Sequence, residues 1–300
     1  MKWTGTTYGN AWMHKWLIRM LRHMDVRILY AFTSVFVIPV CLLMNPSAGI
    51  IYRFFRERMG YGRIKAALGT YTNHCLFGQV VIDKFSMYAG KKFHVEIDGQ
   101  EYYQKLATRD ESFIILSSHV GNYEIAGYTL NQDQKAMNAL VFYGEKESVM
   151  ANRAKLFAGT NVRMIPIRSD MGHLFEIDQA LQRGEIVSMP ADRIFGSQKK
   201  LSLPFMGEPA DFPYGPFSIA TMRGLSVLVL HVMKVKSRTY RIYVTPLDYD
   251  REAVRQEQIK QLATSYAEEV ERIVKLYPTQ WYNYFEFWNN EPICANNRRT

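Results

Sequence analysis

The chain has 300 residues, 48% of them hydrophobic and 14% aromatic, and a formal net charge of +9. That is enough for one large domain, or one and a half, with a sizeable core, and it excludes an intrinsically disordered chain. The basic balance points to an anionic partner, whether nucleic acid, an anionic membrane surface or an acidic protein. The odd count of three distant cysteines, Cys41, Cys75 and Cys294, argues against a disulfide framework or a zinc site.

Residues 1–27 are polar, basic and aromatic, with Trp3, Trp12 and Trp16 among five Lys/Arg. Ile28 to Met44 then runs without a charge, at the short edge of a transmembrane span, and Pro39 is expected to kink it. It starts too late, and lacks the small-residue site, for a cleaved signal peptide. Residues 51–66 carry five more Lys/Arg, so the charge flanks do not orient the segment. A kinked interfacial segment, a weak single span and a buried core helix all fit, and the neighbouring Trp, Tyr and basic residues favour the membrane. From Tyr52 to about Ala89 the pattern is helical, with a break at Gly60 and Gly62. Lys92 to Ile97 alternates as a strand, Asp98-Gly99 turns it, and Tyr102 to Leu106 is a short helix.

The stretch Phe113 to Leu130 organises the rest. Phe113 to Leu116 reads as a short buried strand, Ser117, Ser118, Gly121 and Asn122 break it, and a helix follows with Asn122 as its N-cap. His119 therefore falls at a strand-to-helix junction, where α/β folds expose reactive side chains, and Glu124 falls in the first helical turn. An imidazole held in one tautomer by a carboxylate is a general base near neutral pH, and a substrate hydroxyl can be what it deprotonates. The bland alternative is a loop histidine and a helix-start carboxylate favoured by the dipole.

Further along, Ala139 to Tyr143, Val162 to Ile167 and Ile186 to Met189 read as strands, with helices over Lys146 to Ala158 and His173 to Arg183 between them. This β-α-β-α-β series argues for a largely parallel sheet covered by helices. Gly215 to Arg223 is a helix, Val227 to Met233 and Tyr240 to Pro246 are strands, and Gln256 to Leu276 is a long amphipathic helix. An aromatic run from Pro278 to Trp288 closes the pattern and either caps the core or touches lipid. The expected fold is α/β, a mixed, largely parallel sheet flanked by helices, with a membrane-associating N-terminal segment (1–66) before the α/β domain (67–300). His173 and His231 have no carboxylate at a telling spacing and read as structural. No dinucleotide fingerprint, P-loop, Gly-x-Ser-x-Gly, His-Glu-x-x-His or nucleic-acid motif occurs.

The run His119-Val-Gly-Asn-Tyr-Glu124 after an apolar strand resembles the His-x4-Glu signature of the glycerolipid acyltransferase superfamily. Its wording resembles the lipid A biosynthesis branch, whose members move an acyl chain from acyl carrier protein onto a lipid A precursor. Pro190-Ala-Asp192-Arg193-Ile-Phe-Gly196 resembles that branch's Asp-containing turn, and the aromatic tail resembles its C-terminus. At Phe212-Pro-Tyr-Gly215, Tyr214 stands where glycerol-phosphate relatives have Glu, which disfavours a glycerol-phosphate acceptor. The resemblance implies His119 as base with Glu124 as its orienting carboxylate, and Asn122, Arg153, Arg163, Asp192, Arg193 and Gly196 as substrate-binding positions. One of Arg153 and Arg163 would hold a phosphorylated acceptor, a solvated surface arginine being the alternative for either. Backbone N–H groups near Gly121 and Asn122, or an arginine, would serve the oxyanion. No metal or bound cofactor is implied. The expected partners are an acyl-acyl carrier protein donor, a lipid acceptor and an anionic membrane surface, with no nucleic acid, at the cytoplasmic face of the inner membrane. Alternatives are another envelope lipid as acceptor, and an inactive acyltransferase fold that binds membranes.

Overall fold

A computed structural model of the chain describes residues 11–45, 47–129, 135–142, 151–153, 157–158, 160–167, 171–194 and 199–288. Its centre is a seven-stranded sheet in the order β1-β9-β8-β2-β5-β3-β4. The strands are β1 (His94–Asp98), β2 (Phe113–Gly121), β3 (Met137–Phe142), β4 (Val162–Ile167), β5 (Ile186–Pro190), β8 (Ser226–Lys236) and β9 (Thr239–Leu247). Every neighbouring pair is parallel except β8 and β9.

Alternation along the strands builds a core on each face of the sheet. Ile114, Leu116, Val187, Met189 and Val229 face the Arg255–Leu276 helix, whose Leu262, Tyr266 and Val270 are fully covered. Phe113, Ile115, Leu228, Leu230 and Ile242 face the other way, against Tyr103 of the Gln100–Ala107 helix. Each such side chain contributes about 1.5–3 kcal/mol by leaving water.

The helices follow the expected pattern closely. The break at Gly60 and Gly62 separates a helical stretch ending at Met59 from the Arg63–Tyr88 helix. The expected kink at Pro39 takes the form of a wide π turn over Thr33–Val37. Proline has no N–H to give the Ser34 carbonyl, and the Tyr71 hydroxyl donates to that carbonyl instead, at 2.7 Å. Of the expected 146–158 helix, residues 151–153, 157 and 158 lie among the described residues; 151–153 and 157 are helical and Ala158 is in a turn.

A β-hairpin was absent from the sequence reading. Lys200–Phe205 (β6) and Glu208–Pro213 (β7) pair as an antiparallel hairpin. Pro204, Pro209 and Pro213 disguise it, because proline is tolerated only where a strand's N–H is not needed. Its turn uses Met206 and Gly207, both at positive φ, in place of the usual Asn-Gly. The aromatic tail caps the core: Trp281 and Phe287 are buried, among Phe54, Phe205 and Trp288.

Val26–Met44 is the one helix, among the described residues, long and apolar enough to cross a membrane. Phe32, Val35, Phe36, Val40, Leu43 and Met44 are exposed along it, and Ile64, Leu68 and Phe77 are exposed on the Arg63–Tyr88 helix beside it. Its inner side is docked. Tyr30 packs with Leu21, Val26, Ile82 and Phe85, and its hydroxyl joins a buried polar cluster. There the Asp83 carboxylate accepts from Tyr30, Lys234 and Tyr240, tying the N-terminal helix to β8 and β9.

Candidate active site

β2 is longer than its four apolar residues suggest. Ser117 pairs with Pro190 on one side and Leu230 on the other, and after a register shift Gly121 pairs with Val232. His119 thus lies inside the strand's irregular end, with its backbone gripped from both sides. Gly121 is required there: its φ is +71°, and a Cβ would come within 2.0 Å of the Val232 carbonyl oxygen. The Asn122 N–H donates to that same carbonyl at 2.8 Å.

β5 ends beside β2, and the next residues turn across its end. Ala191 N–H donates to the Ser117 carbonyl at 3.0 Å, which brings Asp192 against His119. Both carboxylate oxygens are then used. Oδ1 is 2.8 Å from His119 Nδ1, and Oδ2 accepts the His119 backbone N–H at 2.7 Å. Burial alone would raise the Asp192 carboxyl. The charge and hydrogen bonds of His119, with Arg193 nearby, outweigh it and hold the group below the ordinary carboxylate range. The hydrogen-bond pattern assigns the tautomer: Nδ1–H donates to Asp192, leaving Nε2 as the basic nitrogen. The Tyr123 ring meets the imidazole edge-on.

The carboxylate on His119 Nδ1 is therefore Asp192 and not Glu124, as the His-x4-Glu spacing implied. Glu124 lies on the short 3-10 turn Tyr123–Ile125. Its Oε1 accepts from Lys84 Nζ at 2.7 Å and from Arg153 Nη2 at 2.8 Å. Desolvation raises this carboxyl, and the two cations more than reverse that, so it too is held below the ordinary range. Glu124 thus gathers one cation from the Arg63–Tyr88 helix and one from residue 153 at the turn that follows β2. Lys84 carried no signal in the sequence: it comes from a helix 40 residues upstream.

The other expected positions divide. Arg153 is in the site through Glu124. Arg193 is near it, donating to the Tyr282 carbonyl at 2.8 Å and lying over the Phe285 ring. Asn122 makes no side-chain cap; it is buried, with its amide 3.4 Å from the Tyr240 hydroxyl. Its backbone N–H is already given to Val232 and cannot serve an oxyanion. Arg163 is not in the site. It pairs with Glu185 at 3.0 Å at the opposite end of the sheet, in line with Ile114 and not with His119. Five residues of strand separate those levels, about 16 Å. Gly196 lies outside the described residues.

The aromatic tail closes the site from the third side. Trp281 bridges to Val120, and the Tyr282 N–H donates to the His119 carbonyl at 3.2 Å. Asn73 of the Arg63–Tyr88 helix donates to the Trp281 carbonyl at 2.9 Å and accepts from the Tyr284 hydroxyl at 3.0 Å. Phe77 packs on Tyr282 and Tyr284, so an aromatic wall joins the site to the helix that carries Lys84. Among the described residues no three His, Cys, Asp or Glu side chains converge to hold a metal ion. A histidine held by a buried carboxylate, with aromatic surface beside it, is suited to deprotonating a hydroxyl.

A solved structure of the 1-acyl-sn-glycerophosphate (LPA) acyltransferase PlsC from Thermotoga maritima aligns with 90% of this chain and 100% of its own. The identity is 17% and the TM-score 0.39. No curated protein matches the chain in sequence. The family profile described as bacterial lipid A biosynthesis acyltransferase matches residues 77–288, more than half the chain and the span that holds His119, Glu124, Asp192 and the aromatic tail. The chain belongs to the bacterial lipid A biosynthesis acyltransferase family, and it is an acyltransferase.

Proposed function

We propose that the protein transfers a fatty acyl chain from an acyl thioester to a hydroxyl of a phosphorylated, lipid A-type acceptor, with His119 as general base and Asp192 as its orienting carboxylate. The observation that carries this is the double contact of Asp192 on His119, Nδ1 at 2.8 Å and backbone N–H at 2.7 Å, in a chain of this family. His119 Nε2 takes the acceptor's hydroxyl proton as the oxygen attacks the thioester carbonyl. The new C–O bond forms, the C–S bond breaks, and the imidazolium returns the proton to the departing thiolate. Lys84 and Arg153, gathered on Glu124 in the turn after β2, are the basic side chains assigned to the acceptor's phosphate. The chain's +9 charge favours an acidic carrier protein over a neutral donor. The exposed apolar faces of Val26–Met44 and Arg63–Tyr88 hold the site at the cytoplasmic surface of the inner membrane.

The test is mass spectrometry of lipid A from cells with and without the protein. Loss of one acyl chain, restored by wild type and not by His119→Ala, is the expected result. Unchanged lipid A, with a different envelope lipid losing a chain, would move the acceptor. Normal transfer by folded, purified His119→Ala would sink the mechanism.

A further inference from the structure

Behind the His119–Asp192 pair lies a second histidine that the mechanism above does not use. His231 is on β8, paired with Tyr243 of β9, and is 1% exposed. Neither of its ring nitrogens has a hydrogen-bond partner. Ser118, next to His119, is also 1% exposed, and its hydroxyl is likewise unpartnered. The two residues share a face of the sheet. Ser118 stands two residues beyond Leu116 and His231 two beyond Val229, so strand alternation turns both toward the Arg255–Leu276 helix, just where β2 leaves register with β8 after Ser117.

That helix answers with polar groups. Glu269 Oε1 lies 3.9 Å from His231 Nδ1, too far for a direct hydrogen bond. The same carboxylate is fixed by the Thr245 hydroxyl at 2.8 Å and by Arg272 at 2.7 and 2.8 Å. The Tyr266 hydroxyl donates to the Ser117 carbonyl at 2.8 Å, the carbonyl that also receives Ala191 N–H. Burial pushes the His231 imidazole down to about 4, against the opposing pull of Glu269, so it is neutral at physiological pH. Arg272 and Asp192 are the other charges that reach it. A neutral imidazole has one donor and one acceptor to satisfy, and buried polar groups are seldom left unsatisfied. A carboxylate 3.9 Å from one ring nitrogen, with the unpartnered Ser118 hydroxyl on the same sheet face, offers the two to four partners that an internal water takes.

We propose that a buried water bound by His231, Ser118 and Glu269 backs the catalytic pair, and that His231 is a positioning residue for it. The water fixes the Ser118 hydroxyl, and with it the irregular end of β2 on which His119 is carried beneath Asp192. His231 acts through Ser118 and does not touch substrate. The proposal rests on the reading of His119 as base, but the bound water does not.

The test compares His231→Phe, which keeps a planar ring and removes both nitrogens, with His231→Gln, which keeps a donor and an acceptor, in the full-length protein. His231→Phe should lower kcat about tenfold or more at unchanged KM, since small misplacements of a catalytic group have effects of this size. His231→Gln should restore most of that loss. A merely structural role would reduce the amount of folded enzyme and leave kcat per folded molecule where it was. The second readout needs no activity: in protein carrying 15N-labelled histidine, Ser118→Ala should move the His231 ring resonances. If His231→Phe does not fold, Ser118→Ala takes its place in the kinetic test. If the wild type transfers no acyl chain while Ser118→Ala still moves those resonances, the proposed function falls and the water site stands. Wild-type kcat in folded His231→Phe, or unmoved His231 resonances in Ser118→Ala, would overturn the inference.

Discussion

Asp192→Asn is the sharpest perturbation of the site, because the replacement fits the space but cannot reproduce the pattern. Both Asp192 oxygens accept from N–H donors, the His119 backbone at 2.7 Å and Nδ1 at 2.8 Å. An amide has one oxygen and one NH2 and must set its NH2 against one of them. The backbone N–H cannot change its role, so the amide oxygen stays there and the NH2 turns to Nδ1. The imidazole must then accept at Nδ1 and carry its proton on Nε2, the nitrogen required as base. The same tautomer reversal in a serine protease triad lowers kcat by about ten-thousandfold, and a loss of that order is expected here. It corresponds to about 5 kcal/mol of lost transition-state stabilisation. The assay is transfer from acyl-acyl carrier protein to purified lipid acceptor, read by mass spectrometry, with KM nearly unchanged. Stability provides a second reading. The Asp192 carboxyl is depressed below its unfolded value of 3.8, so its contribution to stability is present above that pH and is lost as pH falls through the folded value. Asp192→Asn removes that part of the acid limb of the melting curve. Retention of more than a tenth of wild-type kcat by folded Asp192→Asn would refute the assignment.

Glu124→Gln should behave differently. It leaves Lys84 and Arg153 facing each other without their carboxylate, and should destabilise the fold by about 3 kcal/mol, seen in thermal melts. Its effect on kcat should be smaller than that of Asp192→Asn. Gly121→Ala sets a Cβ on the Val232 carbonyl at positive φ and should lose about 3 kcal/mol or fail to fold, measured by denaturant titration. Leu43→Glu, at a side chain 89% exposed on the apolar helix, should leave the melting temperature within a degree or so while weakening flotation with anionic liposomes.

The sequence carried the sheet because its strands are nearly continuous apolar runs, as strands covered on both faces must be. Phe113 to Leu116, Ile186 to Met189 and Val227 to Met233 were all found this way. It carried His119 for the same reason: a polar break directly after such a run marks a strand end. The end of β2 itself was less legible. Ser117 and Ser118 read as loop formers, yet both lie within β2 and Ser117 stays paired to β5 and β8, and pairing to neighbours more than 70 residues away leaves no local trace. The orienting carboxylate was misassigned on the same grounds. Five residues of spacing suggested Glu124, whereas the parallel alignment of β2 and β5 delivers Asp192 from a different loop. Asp192 had been placed near the junction, but with a role on the acceptor side. Arg163 shows the converse error: it opens β4, and the opening end of a parallel strand is the end away from the site. Lys84 had no visible signal, since a lysine on an amphipathic helix is ordinarily solvated.

The contact between Trp281 and Val120 has a consequence for how the protein is made. A ribosome delivers the apolar Val26–Met44 helix first, His119 next and Asp192 after that, yet the Tyr282 N–H that holds the His119 carbonyl comes 163 residues later than the histidine it serves. During synthesis the strand that bears the base therefore lacks this closure until residue 282 has emerged. A nascent chain stalled before residue 281 would carry every candidate catalytic side chain without the contacts that close over His119.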